Sequence, residues 1–141
     1  MILNLSNYYC IIHQRETSPM LMAEATLLGI AQDGGRPQPS CQMPCCKDVK
    51  HDEVAYPTSL GLSLIDETKH LFDATRNLGE QLRIWGESEP KHVWLTHAHF
   101  GHVDGLGLFG RETIGAKGIK LHVSQKMSDL IHATPQWSLM L

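Results

Sequence analysis

The stretch that decides the fold is HVWLTHAHFGHVDGLG, residues 92–107. Its first part, HVWLTH, is apolar, β-branched and aromatic, which predicts a strand over 92–97. Past that strand, His97 and His99 stand two apart, and His102 follows after a turn. In extended chain, residues i and i+2 point to one face, so the first two imidazoles converge at the strand's end. His102 is placed to close on the same point from the start of a glycine-rich helix. Imidazole nitrogen is a good ligand for zinc, iron or manganese, and this spacing predicts a metal site at His97, His99 and His102. Gly105 and Gly107 are expected to let the helix pack tightly on the strand. His92 begins the same strand, about 16 Å from His97 if extended, and is taken as solvated. His122 and His132 have no spacing partner and are read as structural or exposed.

Working outward, EATLLGIA (24–31) reads as a buried strand, and QDGGRPQPS must loop because Gly, Pro and Asp crowd there. SLGLSLID (59–66) and KHLFDAT (69–75) read as strands joined by a tight turn at Glu67-Thr68, a hairpin. Asn77 is a candidate cap for a helix over 78–86. GHVDGLGLFGRETIG (101–115) is expected to begin a helix, KLHVS (120–124) a strand, and QKMSDLIHA (125–133) another helix. A hairpin followed by alternating strands and helices predicts an α/β sandwich with a mixed sheet. Residues 1–23 have no periodicity and read as a weakly ordered leader before one domain over 24–141.

Cys41, Cys45 and Cys46 form a C-x3-C-C cluster, with His51 five residues on. Three thiolates and one imidazole make a closed zinc set whose role would be to staple a long loop. Asp48 and Asp52 compete with His51 for the fourth place, and free thiols are the plain alternative. A redox pair is disfavoured, because adjacent cysteines close only a strained ring. The first 18 residues lack the basic n-region and cleavage site of a signal peptide, so a reducing, cytoplasmic setting is expected, where crowded cysteines favour a metal or redox role over a disulfide framework. The formal net charge of −3 offers no basic field for nucleic acid, and no apolar run reaches the roughly 18–20 residues of a membrane span.

THAHFGHVDG resembles the His-x-His-x-Asp-His-x-x-Gly signature of the metallo-β-lactamase superfamily, with His97, His99, His102 and Gly105 matching. Gly101 stands where the family has Asp. LLGIAQDGGRPQPSCQMPCC, SLGLSLID, LFDATRNLGEQL and FGRETIGAK further resemble the branch that includes coenzyme PQQ synthesis protein B. The resemblance implies the N-terminal half of an αββα sandwich, a metal-dependent hydrolase or oxidoreductase acting on an unknown small molecule, and a zinc-stapled cysteine loop. It also implies an orienting role for Asp73 at a strand end, with a plain turn residue as the alternative. The chain stops before the family's later ligands, so the isolated half is expected to hold metal weakly and to expose a sheet face open to self-association. A non-catalytic zinc-binding module with a degenerate histidine site is the rival reading.

The missing carboxylate directs attention to Asp33. If the first strand runs parallel beside 92–97, its loop opens at the histidine edge, and Asp33 becomes a ligand or a base. Otherwise Asp33 only makes the turn before Gly34-Gly35. Asp104 is read as a helix N-terminal residue favoured by the macrodipole.

Overall fold

A computed structural model describes residues 3–4, 9–10, 23–86 and 89–138. Most of the expected leader, residues 1–23, therefore lies outside the described residues. Two short strands, β1 (Leu3–Asn4) and β2 (Tyr9–Cys10), precede β3 (Glu24–Gly29), β4 (Ser59–Ser63) and β5 (Lys69–Phe72). Then follow α1 (Leu78–Ile84), β6 (His92–Trp94), α2 (Phe100–Val103), β7 (Lys120–His122), α3 (Gln125–Ala133) and α4 (Pro135–Ser138). The strands lie in chain order in one sheet. Pairing is antiparallel from β1 through β5 and parallel from β5 to β7, so the sheet is mixed, as the element order predicts.

The hairpin forms where the sequence places it, with Leu60 opposite Phe72 and Leu62 opposite His70. Alternation then sorts the side chains into two faces. Leu28, Leu71 and Val93 point to one face and are at most 1% exposed; Leu78, Met127 and Ile131 of the helices cover them. Burying each such side chain contributes roughly 1.5–3 kcal/mol. Gly61 lies on this face because Trp85 needs the room: a β-carbon there would sit 2.5 Å from the indole. The opposite face carries Leu27, Leu60, Leu62, His70, Phe72, His92, Trp94 and His122, each half-buried.

Two expectations change. Asn77 precedes α1, but its side chain makes no capping bond. The Thr75 hydroxyl accepts the Asn77 N–H at 3.1 Å and donates to the fully buried Gln81 Oε1 at 2.7 Å. Gln81 Nε2 in turn donates to the Pro57 carbonyl at 2.8 Å, which ties the loop before β4 to α1. The expected helix from 101 is one turn of α-helix, α2, followed by a 3-10 stretch over Asp104–Phe109. Glycine at 105, 107 and 110 costs about 1 kcal/mol each in helix propensity, and a long α-helix is not sustained there.

Candidate metal centre

Direction along the sheet decides where the centre forms. β3 is antiparallel to β4, β4 to β5, and β5 is parallel to β6, so β3, β5 and β6 run the same way. Their C-terminal ends share one edge. The strand before Asp33, β3, does not neighbour β6, because β4 and β5 stand between them, yet its loop still opens at the histidine edge.

His97 and His99 project from the segment after β6, both exposed, with His97 Nε2 3.0 Å from His99 Nδ1. The His102 ring lies 4.0 Å from the His97 ring, centroid to centroid, so the three imidazoles form one cluster. Residues 95–97 are not strand, which ends at Trp94; the convergence comes from extended chain beyond the ladder.

Asp73 organises two of these rings. It closes β5 in a left-handed conformation, φ 62°, which Asp tolerates better than most residues. Its N–H donates to the Trp94 carbonyl at 2.8 Å, and the next amide, Ala74, donates to the His102 carbonyl at 2.9 Å. Its carboxylate accepts from His102 Nδ1 at 2.7 Å, from the Thr96 amide at 2.8 Å, and from the Thr96 hydroxyl at 2.9 Å. A carboxylate only accepts, so the Thr96 hydroxyl spends its proton on Asp73 and accepts from His97 Nδ1 at 2.9 Å. Both His97 and His102 therefore carry a proton on Nδ1, which leaves Nε2 as the nitrogen through which either ring can bind a metal. Asp73 thus has the orienting place expected of it. Thr96 was not foreseen; its position between a strand end and the first histidine is the only sequence signal for it.

Gly105 permits this seam. A β-carbon there would lie 1.9 Å from the Thr75 carbonyl oxygen, whereas one at Gly107 would meet nothing, so only Gly105 serves close packing. Asp104 begins the 3-10 stretch, half-buried.

Asp33 reaches the same cluster. Its Oδ1 lies 3.4 Å from His102 Nε2. A β-carbon at Gly101 would fall 2.5 Å from both Cα and Cβ of Asp33 and 2.7 Å from its Cγ. The skeleton of Asp33 fills the volume that a side chain at 101 would need. Desolvation raises the Asp33 carboxyl pKa, but the Gly101 amide and the neighbouring His102 outweigh it and hold the group below the usual carboxylate value.

The thiols of Cys41, Cys45 and Cys46 form a second group, with all donor atoms within 4.8 Å of one another; His51 is not part of it. Cys46 accepts the Gln38 N–H at 3.3 Å. That amide bond and the contact with Cys41 lower the Cys46 pKa, while hydrogen bonding to Cys46 raises that of Cys45. Arg36 Nε donates to the Cys45 carbonyl at 2.8 Å and pins the loop.

The sequence reading missed a third group. His92 is not solvated: its ring stacks on His70 at 4.4 Å, and its Nδ1 lies 2.8 Å from His122 Nε2. Parallel pairing sets Trp94 opposite His122 and so brings His122 diagonally to His92. KHLF and HVW each place a histidine two residues before an aromatic, and that was the available signal. His132 is exposed, as expected.

No family model matches the sequence, and no curated protein matches it. Solved structures share the fold, the following two among them. Zinc-bound PqqB from Methylobacterium extorquens superposes with a TM-score of 0.71 at 19% identity, over 84% of this chain and 42% of PqqB. A diphosphatase of the PhnP family gives 0.67 at 26% identity, over 86% of this chain and 49% of that enzyme. The chain spans under half the length of either. Among the described residues, no helix is long and apolar enough to cross a membrane.

Proposed function

Because the chain has a PqqB-like, partial metallo-β-lactamase fold, we propose that it forms the metal-binding half of a metal-dependent hydrolase. His97, His99 and His102 hold the ion through imidazole nitrogen. Asp33 supplies the carboxylate that the superfamily signature carries at the position of Gly101. The observation that carries this reading is the exchange of volume: Asp33 fills the space a side chain at 101 would take, with Oδ1 beside His102 Nε2.

The donor set fits zinc, with iron or manganese as the other candidates. When bound, such an ion lowers the pKa of water and polarises a substrate oxygen. The chain's own residues do the rest. Asp73 and Thr96 hold two rings in the ligating tautomer, and Asp33 is placed to take up a proton at Oδ1. Cys41, Cys45 and Cys46 staple their loop with a structural zinc. Arg76 lies over the Phe100 ring, 4.6 Å from its centroid, next in the chain to His99. With a diphosphatase among the similar structures, that cation favours a small anionic substrate bearing phosphate.

Metal analysis of the purified chain tests the site. His97→Ala with His99→Ala should lower the bound metal, and unchanged content in that double variant ends the proposal. The carboxylate exchange has its own test. Gly101→Asp and Asp33→Gly should each weaken metal binding, while the two together should recover it. Failure of the pair to exceed both single variants would show that Asp33 does not stand in for the missing residue.

A further inference from the structure

The half-buried sheet face opposite the helices carries an ordered cluster that the proposed function does not use. In register across the three parallel strands stand His70, His92 and Lys120, then Phe72, Trp94 and His122. Trp94 stacks on His122 with ring centroids 3.8 Å apart and 8° between planes. Its indole N–H, which can only donate, gives its proton to His70 Nδ1 at 3.0 Å. His70 is thereby fixed with its own proton on Nε2, and it stacks on His92. The remaining contact is the 2.8 Å approach of His92 Nδ1 to His122 Nε2.

We propose that His92 and His122 form a second metal site, a two-imidazole site for late first-row divalent cations such as Ni²⁺ or Cu²⁺. Two ring nitrogens bonded to one ion at about 2.0–2.1 Å and a right angle lie about 2.9 Å apart, close to the separation held here. Right-angled nitrogen pairs suit tetragonal ions better than tetrahedral zinc. The rings now meet nitrogen to nitrogen, with centroids 5.0 Å apart, so each must turn by roughly 45° to bring its lone pair onto one ion at a right angle.

The Trp94–His122 stack supplies a local readout, since a paramagnetic ion on His122 quenches the indole against it. The test uses the full chain carrying His97→Ala and His99→Ala, so that failure of the edge site cannot be confused with failure of this one. Ni²⁺, which does not oxidise the thiols, is titrated while tryptophan fluorescence is followed. Saturable quenching is expected, and it should disappear in Trp94→Phe. His92→Gln and His122→Gln should each weaken binding at least about tenfold, since loss of even an outer-shell partner of a ligand costs that much. Quenching that survives Trp94→Phe, affinity within twofold of the parent in both glutamine variants, or no saturable quenching would each overturn the site. Should a glutamine variant fail to fold, Ni²⁺ broadening of histidine ring resonances in the unmutated chain decides. Broadening at both His92 and His122 supports the site, and its absence from either ring overturns it.

Discussion

His97, His99 and His102 crowd past the end of β6, whereas His92 lies on that strand's open face with His70 and His122. Both groups bring imidazoles to hydrogen-bonding distance, but by different means. The edge cluster is assembled by local chain: its members span six residues and its tautomers are set by Asp73, directly and through Thr96. The face cluster is assembled by register across three strands, and its protonation is set by Trp94 and by the histidines themselves. The metal site proposed at the edge should therefore be open to loss without a change to any histidine, through the seam that holds Asp73. The face cluster should survive that insult as long as the sheet does.

The largest effect should come from Gly105→Ala, which drives a methyl group into the Thr75 carbonyl. A loss of about 3 kcal/mol or more is expected, at the upper end for overpacking, and urea unfolding measures it. A midpoint equal to the parent's would mean that the seam yields easily. Asp73→Asn should weaken metal binding at the edge by roughly 10–100-fold while leaving Trp94 fluorescence unchanged. Altered Trp94 emission in that variant would show the two clusters to be coupled. Trp94→Phe makes the reciprocal test: about 1 kcal/mol of stability is lost with the His70 hydrogen bond, and edge metal content stays the same.

The smallest expected effect is one of pH. Burial, then the neighbouring His70, His122 and Lys120, hold the folded His92 pKa below its ordinary value. Below about pH 6.5 the unfolded chain takes up a proton that the folded chain resists, so stability falls as pH drops through that range. His92→Gln should flatten this part of the profile. An unchanged slope would assign the acid sensitivity elsewhere, and thermal midpoints from pH 5 to 8 distinguish the cases.

The order of strands, the hairpin and helix α3 were legible because each follows from short-range alternation and turn chemistry. The long glycine-rich helix was not, since the helix-propensity cost of Gly105, Gly107 and Gly110 outweighs the apolar pattern. The capping role given to Asn77 belongs in part to Thr75, whose hydroxyl is fixed by a glutamine six residues away and by nothing in its immediate spacing. Asp33 was reachable as a candidate, but its geometry was not: the condition was a strand parallel to and beside 92–97, and the outcome depends instead on two antiparallel steps that restore the same direction.

By itself the sequence determined the α/β class, the convergence of His97 and His99, and the thiol group at 41–46, because each depends on residues within a few positions of one another. Only the tertiary structure decided that Asp33 occupies the space left by Gly101, and that His70, His92 and His122 meet on one face. Those contacts join residues 22 to 68 positions apart in the chain, and register across the sheet, which no local pattern encodes, brings them together.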